Sequence, residues 1–279
     1  MNGQASRLIQ LRQLEERGKK FSTSKIVSIC SGKGGTGKTF FAANFAYQLT
    51  RTGNKVLLID LDLNFSNLNI LLNQAAKDVI SEFFEQRKSL SEIIYNYDKN
   101  LHLVFGDSGR EDYPRISKEV LEYLFISILK ISNNYDYIIL DSSAGADELT
   151  LYQLIRSDFN IIVTSPEPTA VMDAYVIFKL LSSANFSGEK LVVVNKCTEE
   201  DAQTAFTNLF AAAKHFLGEE PKFLGAISFD EAVHKSIVRQ ELLTEAVPQS
   251  SPAKEITAIV NSFVSFAQVA NNNHNRFII

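Results

Sequence analysis

The stretch "KIVSICSGKGGTGKTFFAANFAYQLTR", residues 25–51, decides the fold. Its first six residues form a short apolar, β-branched run, and 38–51 carry helical periodicity, so the segment reads as strand, loop, helix. Between them "SGKGGTGKT" (31–39) fits G-x-x-x-x-G-K-[ST] through Gly32, Gly37, Lys38 and Thr39. Gly34, Gly35 and Gly37 permit backbone angles and close approach that a side chain would forbid. Successive N–H groups along the loop, Thr36 among them, then turn inward and cradle phosphate oxygens at a helix N-terminus. Lys38 supplies a cation to the β- and γ-phosphates, and the Thr39 hydroxyl is placed to ligate Mg²⁺. A glycine-rich turn without nucleotide is the bland alternative, and it leaves the lysine and threonine unexplained.

Working outward, similar apolar runs recur at 55–60, 101–105, 136–141, 159–164, 190–195 and 223–228. Several are apolar on both alternating faces, as strands covered by helices on both sides must be. Helical periodicity occupies 117–132, 170–184 and 201–217. The alternation predicts an α/β fold with a doubly wound, mostly parallel sheet and helices on both faces. Two of these strands end in acids. "LLIDLDLNFSN" (57–67) places Asp60 at a strand end and Asp62 two residues on, and "DYIILDSSAGA" (136–146) ends four apolar residues in Asp141. Doubly wound sheets bind ligands at the carboxyl ends of their strands, which is where these carboxylates fall.

Lys33 puts a second lysine inside the loop, giving K-G-G-x-G-K-T. With this the chain resembles the deviant Walker A ATPases, the MinD/ParA family of SIMIBI-type P-loop proteins. The resemblance implies ATP and Mg²⁺ as cofactors and a homodimer in the ATP state. It implies that Lys33 reaches across the dimer to the partner's phosphates, that Asp60 and Asp141 join Thr39 in organising magnesium, and that Asp62 orients the attacking water. "DSSAG" (141–145) is similar to the family's switch II, D-x-x-A-G, in which the Gly145 N–H meets the γ-phosphate. Asn195, at the end of "VVVN" (192–195), takes the family's adenine-binding role. Thr198 stands where related GTPases carry their guanine-reading carboxylate. Family positions usually filled by glycine, aspartate and proline hold Asn64, Asn69 and Ser228 here.

Within that family the FlhG branch is the most similar. "GQASRL" (3–8) resembles its N-terminal element through Gln4, Ala5 and Leu8, although Gly3 and Ile9 replace its aspartate and arginine. "VFGDSG" (104–109) and "TSPEPTAVMDAY" (164–175) resemble two further FlhG segments. The implied function is a slow, partner-stimulated ATPase that regulates flagellar number or placement. The implied partners are an FlhF-like GTPase, through residues 3–14, and a flagellar basal-body or transcription-factor protein. The alternative is a MinD/ParA-type positioning ATPase for another cargo, such as a division site, DNA or a protein cluster.

The expected domains are a leader at 1–24, a P-loop domain at 25–270 and a tail at 271–279. The leader combines a local charge of +3 with Ala5, Leu8, Ile9 and Leu11 on one side of a helix. A partner-activating helix, a disordered leader and a helix docked on its own domain all satisfy that pattern. Residues 254–270 carry an apolar stripe, Ile256, Ile259, Val260, Phe263 and Phe266–Ala267, with no Lys or Arg after Lys254 until Arg276. Membrane-targeting helices need cations for anionic headgroups, so the stripe reads as packed on the domain. Peripheral attachment to the inner face of the cell membrane is implied by the resemblance alone.

Composition narrows the rest. A net charge of -4 supplies no basic field, so nucleic-acid binding is not expected. The N-terminus lacks a signal-peptide core and no run is long enough to span a bilayer, which predicts a cytoplasmic protein. Cys30 and Cys197 lack the spacing of an iron–sulfur or metal site and read as reduced core thiols.

Overall fold

The computed structural model describes residues 24–62, 66–107 and 116–274, with side chains to 269. The expected strands form as β1 (Lys25–Ser31), β2 (Val56–Leu61), β4 (Leu101–Val104), β5 (Tyr137–Ala144), β6 (Phe159–Thr164), β7 (Glu189–Cys197) and β8 (Lys222–Ser228). They join a two-residue strand, β3 (Tyr95–Asn96), in one sheet of order β3-β4-β2-β5-β1-β6-β7-β8. Every neighbouring pair is parallel except β3–β4. β3 is too short to carry an apolar run, which is why the sequence pattern misses it.

The main helices are α1 (Lys38–Arg51), α2 (Lys118–Ile131), α3 (Glu148–Leu154), α4 (Pro168–Ser183), α5 (Glu199–Leu217), α6 (Glu231–Arg239) and α7 (Ser251–His274). Their starts follow local chemistry. Pro168 opens α4, where its missing N–H costs nothing. Thr198 and Asp201 make a reciprocal capping box at α5. Alternate residues of each strand feed opposite faces. Val27, Ile29, Val56 and Leu58 pack under α1 and α7. Ile26, Leu57 and Ile59 pack under α2, while Cys30, Ile162 and Val192 pack under α4 and α5.

The C-terminal stripe belongs to this core. Ile256, Ile259, Val260, Phe263 and Ala267 are buried, and the Phe263 ring lies 5.2 Å from both Phe45 and Phe159 and 5.7 Å from Tyr137. The helix runs on to His274, past the boundary expected at 270. Once its first turns are fixed by packing, each added residue gains a hydrogen bond without a new nucleation cost. Among the described residues no helix is long and apolar enough to cross a membrane. Cys30 and Cys197 are free and buried, and burial pushes their thiols up to about 12 and about 11. The leader before Ser24, Asn64 and the tip of the 104–109 segment lie outside the described residues.

Truncating the ring at the centre of this layer tests how far α7 holds the sheet. Phe263→Ala is expected to cost about 3–5 kcal/mol of unfolding free energy, and Phe263→Leu clearly less. Urea denaturation measures both; an alanine variant as stable as the wild type would show that α7 is only loosely attached.

Candidate functional site

β1 lies between β5 and β6, so the chain departs to opposite sides at its carboxyl end and leaves a crevice there. The 31–39 loop fills it. Gly37, the N-cap of α1, sits at φ 87°, and a Cβ there would come 2.3 Å from Asn195 Nδ2. Gly32 meets α4, where an added Cβ would fall 2.4 Å from the Asp173 carbonyl. Gly34 and Gly35 face open space.

Two side chains from the end of β7 fasten the loop. Asn195 Nδ2 donates to Thr36 O at 2.8 Å, and Lys196 Nζ donates to Gly35 O at 2.8 Å. Lys196 adopts φ 58°, a left-handed conformation uncommon outside glycine. The Asn195 Oδ1 in turn accepts the Lys196 N–H at 2.9 Å. Asn195 is therefore engaged at both polar ends by backbone, and its observed contacts brace the loop. Pulling two loop carbonyls toward β7 leaves the opposite, N–H side of the loop for an anion. Thr198, where a guanine-reading acid would stand, is occupied with the cap of α5.

Strand register sets the carboxylates. Asp60 and Asp141 are direct partners across β2 and β5, and both side chains are fully buried. Lys38 Nζ, itself buried, donates to Asp141 Oδ1 at 2.7 Å and lies 3.9 Å from Asp62 Oδ2. Burial opposes the charge on Lys38, but Asp141, with help from Asp62 and Asp60, more than offsets it and holds the ammonium above its ordinary range. Asp60 is the strained member. Burial first, then the Asp141 charge, push its carboxyl up to about 7, despite hydrogen bonds from Ser66 Oγ at 2.6 Å and the Asp62 N–H at 3.0 Å.

Lys33 and Gly145 lie at the mouth of the loop. Lys33 Nζ donates to Glu167 Oε2 at 2.6 Å and to Thr169 Oγ1 at 3.2 Å, and this contact holds the Glu167 carboxyl below its usual range. The Gly145 N–H donates to Ser31 O at 2.9 Å. Both groups expected to meet phosphate thus have protein partners. Glu167, Thr169 and Lys196 had no role in the sequence reading. The "TSPEPT" and "NK" pairings with the loop are the signals that could have found them.

A cavity of about 580 Å³ opens beside the loop, lined by Lys33, Gly34, Thr36, Pro166, Glu167 and Lys196. Inside the site, Thr36 Oγ1 and Asp141 Oδ2 are buried without a hydrogen-bond partner among the described residues. Such orphaned oxygens fit a missing polar ligand. Thr39, at the second position of α1 and partly exposed, supplies a hydroxyl near them in sequence. No cluster of three His, Cys, Asp or Glu side chains forms a metal cage among the described residues. The donor set suits a hydrated Mg²⁺ that shares oxygens with phosphate rather than an all-protein site.

A phosphate cradle carrying two lysines, set against paired aspartates at the carboxyl edge of a parallel sheet, defines a P-loop nucleoside triphosphatase of the deviant Walker A class. The AAA domain family (AAA_31) matches residues 24–190. The "Flagellum site-determining protein YlxH" of Helicobacter pylori is 31% identical over 270 residues, 95% of this chain and 91% of that one. The "Antiactivator FleN" of Pseudomonas aeruginosa is 26% identical over 257 residues, 91% of this chain and 92% of that one. The septum site-determining protein MinD complexed with Mg-ADP from Pyrococcus horikoshii superposes with a TM-score of 0.72 at 23% identity, covering 88% of this chain and 98% of that one. The chain belongs to the MinD/ParA family of P-loop ATPases.

The crowded carboxylates predict a trade of stability against ligand binding. Without nucleotide, Asp60→Asn is expected to stabilise the protein by on the order of 1–3 kcal/mol at pH 8, because an ionised group with a raised folded pKa destabilises the fold as pH rises. The same change is expected to weaken magnesium-dependent nucleotide binding. Thermal melts with and without Mg-ADP check both; a variant less stable than the wild type at high pH would contradict the repulsion.

Proposed function

We propose that this chain is an ATP-gated dimer switch regulating flagellar number or placement. The likeness to YlxH across 95% of the chain supports the biological role. The single structural observation that carries the mechanism is the placement of Lys33 at the cavity rim, partly exposed and held by an exposed glutamate, where a second copy could claim it.

In this reading the loop N–H groups and Lys38 bind the triphosphate, with Gly32, Gly34, Gly35, Thr36 and Gly37 forming the cradle. Thr39, Asp60 and Asp141 would hold magnesium, which when bound would supply charge neutralisation to the triphosphate. Asp62, within 3.9 Å of Lys38, orients the attacking water and accepts its proton late, which suits a loose phosphoryl-transfer transition state. Asn195 contributes to the base site while bracing Thr36. Lys33 leaves Glu167 and Thr169 to meet the partner's phosphates, and Gly145 leaves Ser31 to meet the γ-phosphate. Loss of that phosphate returns both groups to their protein partners.

A structural relative from Aquifex aeolicus is a MinC:MinD cell division protein complex, which supports partner binding in this reading. We assign residues 3–14 to an FlhF-like GTPase, on the resemblance at Gln4, Ala5 and Leu8. The apolar stripe of α7 is spent on the core, where Ile256, Ile259, Val260, Phe263 and Ala267 are buried.

Dimer content by light scattering and phosphate release together test the mechanism. With Mg-ATP the wild type is expected to dimerise. Lys33→Ala is expected to lose turnover at least about tenfold. Asp62→Ala is expected to dimerise with turnover lowered about a hundredfold. Dimer content that ignored ATP in all three proteins would overturn the switch.

A further inference from the structure

β5 enters the site between two strands that carry different parts of the chemistry: β2, which leads to Asp62, and β1, which leads to the phosphate loop. Its last residues touch both. The β2–β5 register ends at the pair Leu61–Ser142. One residue later the Ser143 hydroxyl donates to Leu61 O at 3.1 Å, bonding the carbonyl of the peptide that joins Leu61 to Asp62. On the other side Ala144 pairs with Ser31, and the Gly145 N–H donates to Ser31 O. Ser143 and Gly145 thus form the two ends of a crossbar three residues long.

We propose that Ser143 is a positioning residue for hydrolysis: its hydroxyl transmits the position of the 141–145 turn to the Leu61–Asp62 peptide, and so sets the Asp62 carboxylate. The backbone alone does not supply this tie, because Leu61 ends β2 and the chain leaves the sheet after it. The Asp62 N–H also donates to Asp60, and its carboxylate lies 3.9 Å from Lys38. When Gly145 exchanges Ser31 for a phosphate oxygen, the turn shifts, and the Ser143 hydrogen bond carries that shift one strand across. A half-buried hydroxyl is suited to this: it can break and remake one bond without leaving a fully buried orphan.

The inference rests on Asp62 as the water-orienting group, and the test separates the two. Turnover, nucleotide affinity and amide hydrogen exchange are measured for Ser143→Ala, Ser143→Thr, Asp62→Ala and the double variant Ser143→Ala/Asp62→Ala. Ser143→Ala is expected to lower kcat about tenfold, the effect of one hydrogen bond, with Kd for Mg-ADP unchanged and recovery in Ser143→Thr. In the Asp62→Ala background the same change is expected to have no further effect, because residues acting as one unit are non-additive. Exchange in a peptide covering 57–68 is expected to rise while one covering 31–40 stays constant. An equal loss in both backgrounds, a parallel loss of Mg-ADP affinity, or unchanged exchange at 57–68 would overturn the proposal. Wild-type turnover in Asp62→Ala alone would instead remove the role of Asp62, and the catalytic meaning of the tie with it, whatever the exchange shows.

Discussion

Two carboxylates, Asp60 and Asp141, sit side by side in neighbouring strands with no access to solvent, and the buried ammonium of Lys38 makes that arrangement tenable. Removing charges from water costs several kcal/mol each unless they are paired and hydrogen-bonded. The pairing is incomplete: one ammonium serves two acids, Asp60 is driven toward neutrality, and one Asp141 oxygen has no hydrogen-bond partner among the described residues. A site built this way is poised to accept a cation. The sheet is what enforces it, since the parallel register across β2 and β5 leaves neither aspartate free to move apart.

The placement of both acids at the sheet's carboxyl edge was legible because its causes are local. The runs at 55–60 and 136–141 are apolar on both faces and end in acid, so burial of the run forces the acid to the sheet's carboxyl edge. The loop was legible for the same reason: glycines where Asn195 and Asp173 crowd the backbone, and a lysine where the helix begins. Contacts between distant segments were not. The Lys33–Glu167 pair spans 134 residues and the Lys196–Gly35 bond 161, and no periodicity encodes which partner a surface lysine finds. Asn195 shows the limit within a recognised motif. Its position at a strand end was plain, but its choice of Thr36 O depends on how β7 sits against the loop.

The C-terminal helix was legible by what it lacks. An apolar stripe without cations has no use for an anionic surface, and Phe263 among Phe45, Tyr137 and Phe159 shows where the stripe goes instead. Gly225 records the same closeness from the sheet side, since a Cβ there would meet Ile259 at 2.5 Å. One consequence reaches the site: α1, which begins at Lys38, is clamped between the sheet and α7, so the loop runs into a firmly packed helix.

What can then move is a small set of polar contacts. Lys38 is held by Asp141, Lys33 by Glu167 and Thr169, and the Gly145 N–H by Ser31 O. Each would be exchanged for a phosphate oxygen rather than made anew. An exchange of one hydrogen bond for another is worth about 1 kcal/mol net in either direction, far less than the gross strength of either bond. Three such exchanges leave the two states within a few kcal/mol of each other, the range in which a second copy or a partner protein can decide the population. A protein that left these groups unsatisfied without nucleotide would bind it more tightly and release it more slowly. In the proposed switch, the protein partners at Glu167 and Ser31 would keep the exchange reversible.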